Sequence, residues 1–268
     1  MRNPAACADC RTQDCIRGNA QARGCELDLF LPRKIGNLDC TFCLDCVHAC
    51  PHDNVGILLG TPARDFVHDP PRAGVGRLSR RRDVAFLALV LVFGAFAGAA
   101  AMVGPVQAWA EAASAGLGLG SGKAVSGAAL LGVLALVPLG LEGAVLRREP
   151  ARRLALALVP LGLAMWTAHF GFHLVSGWDS LLMILQRWLP GLPSARASGM
   201  GADVLGVEIL LLDAGLLVTL YAMWRTVRAS AAAPAAMLPW AGLAVGLYGA
   251  GVWIFLQPMQ MRGMMMMH

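Results

Sequence analysis

Charged residues are scarce in this chain: Asp, Glu, Lys and Arg make up 15% of its 268 residues, whereas hydrophobic residues make up 57%. An average soluble domain is about half apolar and roughly a quarter charged, so this composition favours a membrane protein. The opening residues, MRNPAACADC, lack the apolar core of a secretory signal peptide, and we expect no such peptide before the cysteines. The formal net charge of +5 is modest and does not predict a nucleic-acid partner.

Two familiar redox signatures are also missing. The glycine-rich stretch GLGLGSG at 116–122 follows no predicted strand, so we interpret it as a loop and predict no flavin or nicotinamide site. Histidine is rare, with six residues in the chain. The two histidines in the apolar half, His169 and His173, are four positions apart on one predicted helix face. They therefore cannot ligate opposite sides of one haem iron.

The composition changes abruptly along the chain. All eight cysteines precede residue 84, whereas residues 84–256 consist largely of long Leu, Ala, Val and Gly runs. This change predicts a cysteine-rich module at 1–60, a basic linker at 61–83, a membrane-embedded region at 84–256 and a Met-rich tail at 257–268.

Five apolar segments are long enough to cross a membrane, which takes about 20 residues for a core of ~30 Å. The predicted spans are about 84–106, 125–146, 154–176, 203–224 and 236–256. A sixth apolar segment, GWDSLLMILQRWLP, is too short to span and is apolar on one face, so we predict an outer surface helix near 179–189.

Arginines flank one end of the predicted spans far more than the other. They are Arg77, Arg80, Arg81, Arg82, Arg147, Arg148, Arg152, Arg153, Arg225 and Arg228. The positive-inside rule then places the N-terminus in the cytoplasm and the C-terminus outside. We expect a multi-pass protein of the bacterial inner (cytoplasmic) membrane.

The densest cysteine motif follows the C-x2-C-x2-C-x3-C-P spacing of bacterial ferredoxins. Its members are Cys40, Cys43, Cys46 and Cys50. Two-residue gaps let one loop direct three thiolates at a [4Fe–4S] cluster, and the fourth cysteine usually serves a different cluster. Four further cysteines lie upstream: Cys7, Cys10, Cys15 and Cys25. If this crossing holds, cluster 1 is held by Cys7, Cys10, Cys15 and Cys50, and cluster 2 by Cys25, Cys40, Cys43 and Cys46.

Zinc and disulfides are the alternatives for these thiols. A zinc knot would suit Cys7 and Cys10 with Cys40 and Cys43, but it leaves the cysteine triplet and its proline unexplained. Disulfides require an oxidising compartment, whereas the predicted topology places this module in the cytoplasm. The sequence therefore favours two [4Fe–4S] clusters and leaves both alternatives open.

The stretches CADCRTQDC, GC and LDCTFCLDCVHACPHDN resemble the ferredoxin module of bacterial membrane polyferredoxins. These are accessory proteins of periplasmic nitrate and nitrous-oxide reductases, with relatives that assist haem–copper oxidase assembly. The likeness covers about residues 5–57 and implies a small α+β ferredoxin-like di-cluster module ahead of an all-α five-helix transmembrane bundle. The chain departs from the family in the longer gap between Cys10 and Cys15, and Cys25 is not followed by proline. The six residues before Cys7 are too few for the opening strand.

Three ionisable residues fall at similar outer-leaflet depths in the predicted spans: His169, His173 and Glu208. Such groups are costly inside a bilayer and are functional candidates by default. We expect them to form a candidate site for a quinone head group, which needs a hydrogen-bonding partner and a proton route. The alternative is that the histidines bond neighbouring helices or a partner subunit.

Taken together, these patterns predict an electron-transfer subunit without a catalytic site of its own. Electrons would pass from a cytoplasmic donor, such as a soluble ferredoxin or a dehydrogenase subunit, toward quinone or a centre in a partner subunit. Further subunits are expected because a core of ~30 Å separates the two sides of the membrane.

The alternative function is a copper-handling or copper-reducing assembly factor for a membrane oxidase, because the tail LQPMQMRGMMMMH offers thioethers that suit Cu(I). A third possibility is a scaffold whose clusters only stabilise the fold.

Overall fold

All regular structure in the described part of the chain is helical. The computed structural model describes residues 1–57, 59–60, 62–119, 122–144, 147–189, 201–230 and 233–258. The chain divides into two compact units, Met1–Arg81 and Arg82–His268. All eight cysteines lie in the first unit, and the long apolar helices lie in the second.

Short helices joined by turns build the cysteine-rich unit. They are α1 (Pro4–Ala8), α2 (Asp14–Arg17), α3 (Asp45–His48), α4 (Pro62–His68) and a 3-10 turn at Leu78–Arg80. No β-strand occurs among the described residues of this unit, so the α+β character that we expected is not shown. The backbone gives a reason, because positive φ angles recur at Gln13, Asp28, Phe42, Leu44 and Asp53. Such residues interrupt extended runs.

Residues 62–81, within the segment predicted as a linker, fold back on the rest of their unit. The amide of Asn37 donates to the carbonyl of Gly74 at 2.7 Å. At Gly36 the two stretches are so close that a Cβ atom would lie 2.6 Å from the backbone nitrogen of Gly76. Glycine is required there because any side chain would force the two backbones apart.

The second unit contains five helices that are long and apolar enough to cross a membrane, which fits a multi-pass membrane protein. They are α5 (Arg82–Ala100), α7 (Gly122–Ala144), the pair α8 (Glu149–Leu156) and α9 (Val159–Ser176), α11 (Gly201–Ala229) and α12 (Leu238–Leu256). Two shorter helices accompany them, α6 (Gly104–Gly116) and α10 (Trp178–Trp188). The expected number of long apolar helices is confirmed, and α10 coincides with the segment predicted as a surface helix.

Two prolines explain where helix bounds differ from the predicted spans. The first span was predicted to reach residue 106, but α5 ends at Ala100 and Pro105 lies in the first turn of α6. Pro160 likewise lies in the first turn of α9, just after the break that separates α8 from α9. Proline suits the first turn of a helix, where its missing N–H has no helical acceptor to lose. Each proline therefore begins a new helix within an apolar run.

The closest packing in the second unit joins α9 and α11 through small residues. A Cβ atom on Gly215 would lie 2.5 Å from the Cβ of Ala164. One turn along, the hydroxyl of Thr219 accepts the backbone N–H of Leu161 at 3.1 Å. Small side chains let two membrane helices approach, and the hydroxyl satisfies an N–H at the start of α9. The two contacts also show that α9 and α11 run antiparallel.

We expect Gly215→Val to destabilise the helical unit by about 1–3 kcal/mol, the usual cost of overpacking a well-filled core. The added side chain would occupy the space of Ala164. Gly206→Val in the same helix is the matched control, because nothing lies within 4 Å of the position of its Cβ. Thermal unfolding in detergent should show a lower midpoint for the first variant and little change for the second. Equal midpoints would contradict this packing.

Candidate functional site

The two cysteine motifs share one local structure. Gln13 and Leu44 each precede a short helix and adopt left-handed backbone angles, with φ of 53° and 67°. The carbonyl of each accepts N–H groups from three and four residues later, at 2.9 and 3.1 Å for Gln13 and at 2.8 and 3.3 Å for Leu44. Cys15 and Cys46 then occupy the second position of α2 and α3. The longer gap of the first motif therefore does not prevent the same turn.

Thiols from two distant stretches of the chain line one cavity. The cysteines are Cys7, Cys10, Cys15 and Cys50. Apolar side chains complete much of the lining: Phe30, Leu31, Pro32, Pro51 and Val55. These four cysteines are the set that the crossing arrangement predicts for cluster 1. The structure brings them together, and their binding of iron remains a prediction.

The predicted ligands of cluster 2 are neighbours as well. Burial raises the pKa of Cys46, and the charges of Cys25, Cys40 and Cys43 raise it further, while Lys34 opposes them. The charges of all three predicted partners therefore act on Cys46. Cys25 is among them although it belongs to the first motif by sequence.

Ionisation of Cys15 is disfavoured by its surroundings. Burial raises the pKa of Cys15 to about 11, and the charges of Cys10, Cys50 and Cys7 add to the effect. Neighbouring thiolates repel one another, and burial removes the water that would screen them. A bound cationic centre reverses this balance, because a coordinating thiol is deprotonated outright. The arrangement is therefore costly as bare thiolates and suits a metal centre.

The two cysteine sets lie next to each other. Cys46, from the second set, is among the charges that raise the pKa of Cys15 in the first. The backbone also connects them, because the amide of Cys25 donates to the carbonyl of Cys15 at 3.0 Å. Two centres held by these sets would therefore be neighbours within one unit.

N–H groups are directed at several of the sulfurs. The backbone N–H of Phe42 is the main cause of the lowered pKa of Cys40. The backbone N–H of Asn54 donates to the Sγ of Cys50 at 3.4 Å, and its side-chain amide donates to the Sγ of Cys7 at 3.2 Å. Hydrogen bonds to sulfur stabilise thiolates and tune iron–sulfur centres.

The eight cysteines do not form a compact single-ion site among the described residues. All eight cysteines are free thiols. Within the described residues, no three His, Cys, Asp or Glu side chains are close enough together to hold one metal ion. Zinc requires its ligands within about 2.3 Å of one centre, whereas the thiolates of a [4Fe–4S] cluster each bind a different iron and stand farther apart. The four thiols around the shared cavity are the donor type and number that such a cluster uses.

The intramembrane histidines form a close pair in α9. Their ring centroids are 4.6 Å apart and the ring planes are nearly perpendicular, at 89°. His169 is 4% exposed. The Nδ1 atom of His169 and the Nε2 atom of His173 are buried and have no hydrogen-bond partner among the described residues. Buried nitrogen atoms without a hydrogen-bond partner indicate that a ligand, a water molecule or a transferred proton occupies the site in the working protein.

Glu208 lies at the level of the histidine pair. The contact between Gly215 and Ala164 fixes the register of α11 against α9. Because α9 and α11 are antiparallel, positions before Gly215 and positions after Ala164 lie in the same direction along the helix axes. Glu208 is seven residues before Gly215, and His169 and His173 are five and nine residues after Ala164. All three residues therefore lie within about 3 Å of one level. Glu208 is 2% exposed and shares a helix stripe with Gly215. The predicted quinone-site residues are therefore collected at one height of the unit.

Asn54 is the site residue that sequence reasoning missed. It is a buried polar side chain, 5% exposed, between the cysteine motif and the predicted linker. The only sequence signal is its position four residues after Cys50, and its other sulfur contact is 47 residues away. The Met-rich tail, on which the copper alternative depends, lies outside the described residues from residue 259 onward.

Compared with protein-family models, with curated proteins and with solved structures, the chain has no match. The resemblance to membrane polyferredoxins therefore remains a prediction from the cysteine motifs.

Proposed function

We propose that the chain is an iron–sulfur electron-transfer subunit of a membrane redox complex. The observation that carries the proposal is the cavity lined by thiols from residues 7–15 together with Cys50. Cys50 is 35 residues or more from the other three cysteines in sequence, and these free thiols nevertheless surround one space. Two [4Fe–4S] clusters would supply one-electron transfer, which no side chain of the module provides.

Each part of the N-terminal unit has a role under this proposal. Cys7, Cys10, Cys15 and Cys50 hold cluster 1; Cys25, Cys40, Cys43 and Cys46 hold cluster 2. Apolar side chains such as Phe30 and Val55 exclude water from the first set. Directed N–H groups offset the negative charge of the sulfurs. The resemblance of the cysteine motifs to the polyferredoxin module supports the same assignment, and a ferredoxin-like fold of the module is part of the proposal.

The membrane unit supports quinone, or a centre in a partner subunit, as the acceptor. Two buried histidine nitrogens without partners among the described residues can bond a quinone oxygen, and Glu208 at the same level can exchange a proton. The donor is a cytoplasmic protein such as a ferredoxin or a dehydrogenase subunit, because the sequence predicts no nucleotide site. The arginine distribution supports the cytoplasmic face of a bacterial inner membrane.

Anaerobic purification tests the proposal directly. We expect about eight irons and about eight labile sulfides per chain, the content of two [4Fe–4S] clusters. Zinc and copper are measured on the same sample as controls. A colourless protein that carries zinc or no metal would refute the proposal.

Potentiometric EPR separates a relay from a scaffold. We expect both clusters to take up and lose one electron reversibly. Clusters that never change oxidation state within the physiological range of potentials would leave only the scaffold possibility.

A further inference from the structure

We propose that Asn54 is a positioning residue that raises the reduction potential of cluster 1. This inference rests on the proposed function. Asn54 is the only residue among those described here whose hydrogen bonds reach two sulfurs of that set, through its backbone N–H to Cys50 at 3.4 Å and through Nδ2 to Cys7 at 3.2 Å. Cys7 and Cys50 come from opposite ends of the module, so one residue joins both halves of the ligand set.

The orientation of the Asn54 amide is fixed by its other partners. Its Oδ1 accepts the backbone N–H of Asn3 at 2.7 Å, and its Nδ2 donates to the carbonyl of Asn3 at 2.7 Å. Exchanging the two amide atoms would bring Oδ1 against that carbonyl and leave the N–H of Asn3 facing a donor. The side chain must therefore present N–H, and not oxygen, to Cys7.

The N–H group that Asn54 donates to Cys7 favours the reduced state of the cluster. Each reduction adds one negative charge, which spreads over the cluster and its sulfur ligands. An N–H group pointing at such a sulfur stabilises the reduced form more than the oxidised form, because hydrogen bonds to charged acceptors are stronger. Removing the Asn54 side-chain donor therefore lowers the potential of cluster 1, while cluster 2 keeps its own contacts.

Two substitutions isolate the donor. Asn54→Asp has nearly the same shape and keeps an oxygen for the N–H of Asn3, but it presents an acceptor to Cys7 and adds a negative charge that lowers the potential further, so the uncharged Asn54→Ala gives the effect of the donor alone. Asn54→Ala removes the amide altogether. Asn19→Ala is the matched control, since this asparagine bonds Asp14, Gln21, Ala22 and Ala49 in the same unit and none of these bonds reaches a sulfur.

We expect both Asn54 variants to lower the midpoint of one cluster by at least about 59 mV, which is a tenfold change in equilibrium constant for a one-electron couple. The other cluster should keep its midpoint, and Asn19→Ala should shift neither. Potentiometric EPR on the full-length chain measures this, with iron content determined on each sample.

The outcomes separate this inference from the proposed function. Asn54 variants that keep wild-type iron content with both midpoints unchanged would overturn the inference alone, whereas a wild-type protein without iron overturns the proposed function. If both variants lose a cluster, the wild-type protein is labelled with ¹⁵N asparagine and its reduced clusters are examined by pulsed EPR. A nitrogen coupling from the side-chain amide then supports the inference, and its absence overturns it.

Discussion

Replacing Cys50 with serine should remove about half of the iron in the protein, and it should be the same half that is lost in Cys7→Ser. The expectation follows from the cavity that Cys50 shares with Cys7, Cys10 and Cys15. By proximity in the sequence, Cys50 would be grouped with Cys40, Cys43 and Cys46, whereas the ferredoxin spacing predicts that it crosses to the other set. A [4Fe–4S] cluster that loses one thiolate is generally unstable, so each single variant should retain about four irons.

Double variants distinguish the crossed arrangement from a motif-by-motif one. Under the crossed arrangement, Cys7→Ser with Cys50→Ser removes nothing beyond either single change, because both act on one cluster. Cys7→Ser with Cys25→Ser removes nearly all the iron, because these two changes act on different clusters. A motif-by-motif arrangement reverses the two results. Such non-additivity is the expected sign of residues that act as one unit.

Metal analysis and EPR of each purified variant provide the measurement. Asn19→Ala serves as the folding control, because this residue connects the two motifs through its bond to the carbonyl of Ala49 at 3.0 Å without touching a sulfur. Full loss of iron in the Cys7 and Cys50 double variant, with half retained in a Cys7 and Cys25 double variant, would refute the crossed grouping.

The membrane helices could be predicted from sequence because one physical requirement dominates them. A segment that crosses ~30 Å of hydrocarbon must be helical and apolar for about 20 residues, and this property is visible in the linear sequence. All five spans appear in the structure as helices. Their bounds were less predictable, because Pro105 and Pro160 begin new helices within apolar runs. Composition alone does not distinguish a continuous helix from two consecutive ones.

Helix geometry requires different neighbours for two acidic residues of α11. Glu208 and Asp213 differ by five positions, about 140° around a helix, so they must face different neighbours. In the structure Asp213 accepts a hydrogen bond from the hydroxyl of Tyr248 in α12 at 2.7 Å. Glu208 lies instead on the stripe of α11 that includes Gly215, which contacts α9. The angle was predictable, but the identity of each partner required the tertiary structure.

The cysteine module was predictable in its chemistry and less so in its shape. Thiol spacing predicts the ligand sets, yet the longer gap before Cys15 appeared to depart from the pattern. The structure gives Gln13 the same left-handed turn that Leu44 forms before Cys46. Left-handed angles at residues other than glycine are uncommon and depend on the surrounding fold. The contact of Asn54 with Cys7 is likewise invisible in the sequence, because it joins residues 47 positions apart.

His169→Ala and Glu208→Gln should each slow quinol turnover by about tenfold or more, within the range of losses seen when a general acid or base is removed. His169 Nδ1 is buried without a partner among the described residues, so a quinone oxygen that binds there would satisfy it. Glu208→Gln keeps the shape of the side chain and removes its ability to release a proton. Turnover is measured with a soluble quinol in detergent or in proteoliposomes, with the partner subunits present.

The matched control for these variants is Thr167→Val in the same helix. Thr167 is exposed on α9, and its hydroxyl bonds the carbonyl of Leu163 within the helix at 2.8 Å. This variant should keep wild-type turnover, and all three variants should keep wild-type iron content because none lies in the cysteine unit. Unchanged turnover in both His169→Ala and Glu208→Gln would assign those residues a structural role. The buried nitrogens would then be satisfied by water or by a partner subunit, and electrons would leave the chain through that partner rather than through quinone.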